Sequence, residues 1–377
     1  MDFAYSDEQA MLRDSVDRFG QNEWPASGRL HILAGGPEAA RRRWRQMAEL
    51  GWLLLPIAEA SGGLGGSPVD VMAVMESFGR HLIVAPYVST CVLVPALVGA
   101  SEAAVPLLTA IGAGEALAAA ALSESGGDLT FVETRAERVG NGWRLTGLKP
   151  HVADGADADW FVVSARTSGA VGDAGGIGLV LLQRGAAGAA VDGFRAIDGH
   201  RHARLALDGA EAVPIGDPEG AACVIERALD HAICAELAEA TGSMEAAAAL
   251  TLDYLKTRKQ FGVAIGTFQA LQHRMVDMIV ACEEARGMTY HATLNLDGDA
   301  DARRRAVSAG KVRVGQSGVY VGQQAVQLHG GVGFSEELIV SHHLRRQMML
   351  DLDRGGADHH RKRYAASTDH DYGRDNT

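Results

Sequence analysis

Residues 256–278 hold the densest chemistry in this 377-residue chain, reading Lys-Thr-Arg-Lys-Gln-Phe-Gly-Val-Ala-Ile-Gly-Thr-Phe-Gln-Ala-Leu-Gln-His-Arg-Met-Val-Asp-Met. Gly262 and Gly266 interrupt two helical segments, and the break carries Arg258, Gln260, Phe261, Phe268 and Gln269. A simple joint between helices does not need that mixture. Arginine presents a rigid, permanently charged fork that suits a phosphate or pyrophosphate, and Phe with Gln suits a flat ligand with polar edges. A second run, Gln327-Leu328-His329-Gly330-Gly331-Val332-Gly333-Phe334, offers related chemistry. Lacking a Cβ, Gly330 and Gly331 let backbone N–H groups approach a phosphate closely, although a helix C-cap and turn would use the same glycines. The adjacent pairs His342-His343 and His359-His360 raise metal binding. Neighbours on a helix point about 100° apart, and no HExxH-type spacing accompanies them. No metal site is expected, and the pairs read as polar contacts of an oligomer interface.

The elements that must position these residues fall into three segments, and the fold class they imply is α+β and multidomain. Residues 1–118 read as a helical domain. Ser6 with Gln9 makes a capping box ahead of Ala10–Phe19, and Trp44–Leu55 and Val69–Leu82 repeat the helical period. The glycine loop of residues 60–67 has no preceding strand and no following Gly-Lys-Ser/Thr, so it reads as a tight connection. Residues 119–212 change period: Thr130–Arg138, Trp143–Leu148, Trp160–Ala165 and Gly178–Leu182 are short β-prone runs between Gly and Asp turns. A compact barrel or sandwich is their natural solution. Residues 213–366 return to long helices, Cys223–Thr257, Gln269–Leu294, Ala302–Leu328 and Leu338–Leu352, which describe a four-helix bundle. Residues 367–377 are polar and read as a disordered tail.

Composition removes several function classes. A formal charge of −12 argues against nucleic-acid binding and against an anionic membrane surface. The basic clusters Arg41–Arg45 and Arg303–Arg305 read as solvated helix faces. No apolar run is long enough for a membrane span, the acidic N-terminus does not read as a signal peptide, and the expected location is cytoplasmic. Cys91, Cys223, Cys234 and Cys282 lie far apart and read as buried free thiols.

Four motifs in order resemble the acyl-CoA dehydrogenase family over nearly the whole chain. Arg258–Gln269 is similar to its RxxFGxxIxxFQ segment, and Gln327–Phe334 to its QxxGGxGY. Leu50-Gly51-Trp52 through Gly62-Gly63-Leu64-Gly65 resembles the N-terminal helix pair and glycine loop. Ala121-Leu122-Ser123-Glu124-Ser125-Gly126-Gly127-Asp128 resembles ALTEPxxGSD. The resemblance implies the fold of that family: an N-terminal helical domain, a middle β-barrel or sandwich and a C-terminal four-helix bundle. It further implies that the chain binds FAD, dehydrogenates an acyl-CoA thioester at its α and β carbons, and passes electrons to an electron-transfer flavoprotein. A carboxylate would take the α proton, and the thioester carbonyl must be polarised for that proton to leave. Arg258 and Phe261 would meet the FAD of a neighbouring subunit, with Phe268 and Gln269 nearby. Gln327, Gly330 and Gly331 would line its diphosphate–adenosine part, and Leu122, Ser123 and His151 would also contact the cofactor.

The pattern departs from the family around the reacting carbons. The two usual positions of the catalytic glutamate are occupied by Arg354 and Ala232. Glu236 and Glu239 follow Ala232 on the same helix face, and either could reach the same cavity. Glu239 is favoured, with Gly242 beyond it permitting close helix packing. His151-Val152-Ala153 replaces a Trp-Ile-Thr that faces the flavin ring, and Ser125 stands where proline is common. These departures resemble the small or partner subunits of heteromeric acyl-CoA dehydrogenases that act on pimeloyl-CoA or steroid side-chain thioesters. Three readings follow: a dehydrogenase subunit in a heterotetramer with a paralogous chain, a self-sufficient homotetramer using Glu239 or Glu236, and a non-catalytic partner that completes another chain's flavin site.

Overall fold

A computed structural model describes residues 4–99, 101–124, 130–140 and 142–372, with side chains through residue 368. Ser125–Asp128 of the Ala121–Asp128 motif lie outside the described residues. The chain begins with α1 (Asp7–Glu23), α2 (Arg29–Ala34), α3 (Gly36–Glu49), α4 (Pro68–His81), α5 (Val94–Val98) and α6 (Val105–Gly112). Strands follow: β1 (Ala118–Ala121), β2 (Arg135–Val139), β3 (Gly142–Val152), β4 (Trp160–Arg166), β5 (Ile177–Gln183), β6 (Ala189–Arg195) and β7 (Arg201–Ile215). Then come α7 (Ala221–Thr257), the short strands β8 (Lys259–Gln260) and β9 (Val263–Ala264), α8 (Gln269–Leu294), α9 (Ala300–His329), α10 (Ile339–Leu352) and α11 (Ala357–Tyr372). Two compact units emerge: Met1–Ala34 with Pro68–Val84 and Ile233–Thr377, and Gly35–Ser67 with Ala85–Ala232. The N-terminal helices are thus shared out, with α1, α2 and α4 in the first unit and α3, α5 and α6 in the second.

In the first unit α7 to α10 supply a core that includes Leu237, Met244, Met278, Val314, Val321 and Leu350. Glycines set how closely the helices approach. A Cβ on Gly79 of α4 would fall 1.8 Å from the Glu239 carbonyl oxygen, and one on Gly242 of α7 would fall 1.9 Å from that of Glu76. The two helices therefore touch main chain to main chain, the role expected of Gly242. On α9, Gly315, Gly318 and Gly322 form a bare stripe at helical spacing, where added Cβ atoms would strike Asp351, Gln347 and Leu344 of α10. The capping box at α1 is formed as expected, with Ser6 and Gln9 each accepting from the other's backbone N–H. One difference is α11, a fifth helix that continues to Tyr372 through residues expected to be a tail. It buries His360 and Ser367 rather than an aliphatic face, so hydrophobic periodicity leaves it invisible.

The strands of the second unit close into a barrel. β4 pairs with β5 along one edge and with β1 and β2 along the other, while β2–β3, β3–β7 and β7–β5 complete the ring. β7 makes closure possible because its 15 residues serve β3 on one side and both β6 and β5 on the other. β1, β6 and β7 are absent from the sequence expectation. β1 is four alanines, a helix-favouring run, held extended by parallel pairing of Ala118–Ala121 with residues 160–163 of β4. The barrel interior includes Leu145, Val152, Phe161, Val163, Leu182 and Leu205. Buried Arg166 donates from all three guanidinium nitrogens to the carbonyls of Thr130, Val132, Ser168, Asp173 and Gly175, pinning the β4–β5 connection without any carboxylate. Cys91, Cys234 and Cys282 are buried free thiols, whereas Cys223 is exposed, contrary to the expectation that all four are buried. Among the described residues no helix is long and apolar enough to cross a membrane.

Candidate active site and cofactor contacts

The break after α7 is a tight hairpin. The Arg258 N–H donates to the Tyr254 carbonyl at 2.8 Å, and its own carbonyl accepts from Ile265 N–H at 2.8 Å. The backbone is therefore pinned while the Arg258 side chain is exposed, with no hydrogen-bond or ion-pair partner among the described residues. Phe261 has left-handed backbone at φ 53° and is 91% exposed. Bulky residues rarely adopt that conformation, and such strain clusters at functional sites. Its ring meets Phe268 edge to face, with centroids 6.2 Å apart. Gln269, the first residue of α8, is exposed beside them.

The second motif lies beside this hairpin for a reason no motif reveals. Tyr254, one turn before Arg258, stacks on His329 with ring centroids 4.4 Å apart, and its hydroxyl donates to the His329 carbonyl at 3.4 Å. That contact ties the hairpin to the Gly330–Gly331 turn. Gly330 has φ 68°, and Cβ atoms on Gly330 or Gly331 would meet nothing within 4 Å, so the turn presents open backbone. Gly333 is different: a Cβ there would fall 2.4 Å from the Val326 carbonyl oxygen. Gln327 is exposed on the last turn of α9.

Both candidate carboxylates on α7 are buried and ion-paired, and the pairs differ. Arg346 grips Glu239 with two parallel bonds, Nε to Oε1 at 2.6 Å and Nη2 to Oε2 at 2.7 Å. Both carboxylate oxygens of Glu239 are thus engaged by Arg346. Glu236 accepts from Arg354 Nε through Oε1 at 2.8 Å, while its Oε2 is buried without a hydrogen-bond partner among the described residues. Burial raises the Glu236 carboxyl above its ordinary range, outweighing the opposing charges of Arg354 and Lys311. Buried Lys311, whose ammonium donates to the Leu350 carbonyl, is pushed down by the same loss of solvent, against the pull of Glu236. Arg354 occupies left-handed backbone at φ 55°, and its carbonyl accepts from His360 Nε2 at 3.1 Å. Arg354 is therefore paired with a carboxylate one turn beyond Ala232 on α7.

In the second unit Leu122 is buried and Ser123 exposed. Buried Lys149 reaches the Leu122 carbonyl at 3.4 Å, Ser164 Oγ at 3.0 Å and Glu124 Oε1 at 2.6 Å. The Glu124 carboxylate also accepts from the N–H groups of Glu133 and Thr134. Burial presses Lys149 down to about 8 while Glu124 opposes that fall. This knot fixes the strand end that carries Leu122 and Ser123, and only the alternation of β3 hints at an inward lysine. His151, near the end of β3, packs against His202, with ring centroids 4.8 Å apart, and against Phe194 at 6.3 Å.

Of the paired histidines, His342, His343 and His360 are buried within the chain, and His359 is exposed. His343 Nδ1 lies 2.9 Å from Ser243 Oγ, His342 Nε2 2.8 Å from the Glu336 carbonyl, and His360 is buried against the Arg354 turn. These are contacts within the chain, made because α10 and α11 bury polar side chains. Among the described residues no cluster of three or more His, Cys, Asp or Glu could hold a metal.

A helical bundle and a closed barrel in one chain, with an unpartnered arginine beside an open glycine turn, define an acyl-CoA dehydrogenase fold. The chain matches the acyl-CoA dehydrogenase N-terminal domain over residues 6–115, the middle domain over 118–210 and the C-terminal domain over 219–368. It belongs to the acyl-CoA dehydrogenase family, a family of oxidoreductases. It is 29% identical to the "Probable acyl-CoA dehydrogenase FadE25" of Mycobacterium tuberculosis, over 94% of this chain and 93% of that one. It is 27% identical to the "Probable acyl-CoA dehydrogenase YngJ" of Bacillus subtilis, over 95% and 97%. Its structure is similar to that of a variant of the Tcur3481-Tcur3483 steroid ACAD, with a TM-score of 0.87 at 26% identity, covering 97% of this chain and 99% of that one.

Proposed function

We propose that the chain is an FAD-binding subunit that dehydrogenates an acyl-CoA at its α and β carbons within an oligomer and passes the electrons to an electron-transfer flavoprotein. The observation that carries this reading is the exposed Arg258 guanidinium beside Phe261 and the open Gly330–Gly331 turn. An uncommitted guanidinium and bare backbone amides fit a diphosphate, and two exposed phenyl rings fit a flat ring system. Facing away from the chain that carries them, they fit FAD held by a neighbouring subunit. FAD, when bound, accepts the hydride from the β carbon. The chain itself must take the α proton, and Glu236 is the candidate: Oε2 is unengaged, Arg354 orients the carboxylate through Oε1, and burial lifts its proton affinity toward that of a useful general base. Likeness to a steroid ACAD named for two proteins supports a heteromer with a paralogous chain and a bulky acyl group.

A second reading, a non-catalytic partner that completes another chain's flavin site, is favoured by the Glu236–Arg354 pair, which fills the place of a free base. Expressing the chain alone and with a paralogous neighbour, reading the visible flavin spectrum, and adding acyl-CoA anaerobically separates the readings. The proposal expects a yellow preparation that bleaches, slowed by roughly 100-fold or more in Glu236→Gln. Bleaching unchanged in that variant assigns the base to the other chain, and colourless protein in both preparations overturns FAD binding.

A further inference from the structure

Arg354 sits in a turn that a glycine would occupy more easily. It has φ 55°, a left-handed backbone that non-glycine residues seldom adopt, and Gly355 follows at φ 97°. Such a conformation persists where its surroundings fix it. Here α10 runs into the turn with the Asp353 N–H on the Met349 carbonyl at 2.8 Å, and buried Lys311 of α9 donates to the Leu350 carbonyl at the same helix end. From α11, His360 reaches back over the turn. Its Nε2 donates to the Arg354 carbonyl at 3.1 Å, and its backbone N–H donates to the Gly356 carbonyl at 3.2 Å. A Cβ on Gly355 would fall 2.6 Å from the His359 ring, so the start of α11 leaves no room for a side chain there. The partners of His360 settle its protons. A carbonyl only accepts, so Nε2 carries the hydrogen and Nδ1 of the neutral ring accepts. Facing Nδ1 at 3.5 Å is the buried Ser308 hydroxyl of α9, and Ser308 Oγ accepts from Arg363 Nη1 at 3.4 Å. The donors run one way, from Arg363 through Ser308 and His360 to the Arg354 carbonyl. Burial pushes His360 down to about 3, so the ring is neutral and this donor pattern holds at neutral pH.

We propose that His360 is a positioning residue: by holding the Arg354 carbonyl it aims the Arg354 guanidinium at Glu236, and α11 is the clamp that keeps this carboxylate oriented. The proposal rests on the reading of Glu236 as the base and deepens it. Glycine would take the left-handed turn without strain, so an arginine there points to a use for the side chain. With the carbonyl held, Arg354 Nε meets Glu236 Oε1 at 2.8 Å, and Oε2 has no hydrogen-bond partner among the described residues. The charged groups acting on Glu236 are Arg354 and Asp353 from the turn, Lys311 from α9 and Arg346 from α10, and Arg354 exerts the strongest pull among them. Around these, Asp351 faces Lys311, Glu239 of α7 is held by Arg346, and His359, Arg363 and Lys311 face His360. A guanidinium that left the carboxylate would remove the largest charge favouring its ionised form, and Glu236 would hold its proton more tightly.

The test reads the Glu236 carboxyl itself and does not need turnover. Infrared spectra of the full-length protein are recorded across pH, and the Glu236 band is identified by its loss in Glu236→Gln. His360→Leu removes the donor and should raise the proton affinity of Glu236 at least about tenfold, the lower end of what an opposite charge at hydrogen-bond distance does to a carboxyl. His360→Gln places an amide N–H near the position of Nε2 and should restore the wild-type titration, a rescue that mere filling of the site would not produce. Ser308→Ala keeps the ring but frees its tautomer, and should shift the carboxyl the same way by less; it carries the test should His360→Leu fail to fold. An unshifted carboxyl in His360→Leu and Ser308→Ala, or a shift that His360→Gln does not reverse, overturns the proposal. Anaerobic bleaching of the flavin-loaded protein by acyl-CoA separates it from the reading beneath it. Unchanged bleaching in Glu236→Gln overturns the base reading and with it the catalytic purpose of the clamp, while the infrared shift decides whether the clamp exists.

Discussion

Glu76 offers a quantitative test of the first unit. It sits on α4 and is 6% exposed, directly where the α4 backbone meets Gly242 of α7. Burial raises its carboxyl to about 7, the nearby Glu245 adds to the rise, and Tyr5, Arg80 and Arg286 pull against it. The two arginines cannot do more because Arg80 is committed to Asp17 at 2.8 Å and Arg286 to Glu245 at 2.6 Å. An unfolded glutamate titrates near 4.3, so a rise to about 7 corresponds to roughly 4 kcal/mol at about 1.4 kcal/mol per unit. The native state holds a proton that the unfolded chain releases. Stability from this group is therefore full below about pH 4 and is lost as pH rises through about 7. Glu76→Gln keeps the shape and is never charged. It should match the wild type near pH 4.5 and exceed it by up to about 4 kcal/mol near pH 8.5. Chemical denaturation of both proteins across that range reads the difference. A gap that does not open between pH 6 and 8, or a variant less stable at high pH, refutes the reasoning.

Three further outcomes follow from the geometry. Glu239→Gln leaves the buried Arg346 charge unneutralised and should cost about 3–5 kcal/mol in denaturation, with Glu239→Met/Arg346→Met recovering most of the loss. Arg258→Ala should weaken FAD binding roughly 10–100-fold, read by flavin titration of the apoprotein, because one charged hydrogen-bonding group contributes about 1.5–3 kcal/mol. Gly242→Ala places a methyl 1.9 Å from a carbonyl oxygen, so α4 must move; a loss of at least about 1–3 kcal/mol in denaturation is expected.

Much of this protein is readable from local pattern. The capping residues Ser6 and Gln9, the boundaries of α8 at Gln269 and Leu294, and the break at Gly262 follow from propensity and side-chain chemistry within a few residues. Arg258, Phe261, Gly330 and Gly331 stand out for the same reason, since their types and spacing already motivate the proposed cofactor contact. What packing alone decided involves residues far apart in the chain. Four alanines become β1 because β4 offers backbone partners, and the polar α11 is a helix because the bundle buries His360 and Ser367. Tyr254 and His329, distant in sequence, tie together the two segments proposed to meet the cofactor. Helical spacing placed Glu236 and Glu239 on one face, and the sequence favoured Glu239, whereas the proposed base is Glu236. That ranking depends on guanidinium groups 107 and 118 residues away, one engaging both oxygens of Glu239 and the other a single oxygen of Glu236. A side chain's type is local information, while its charge, partner and freedom are set by whatever the fold packs against it.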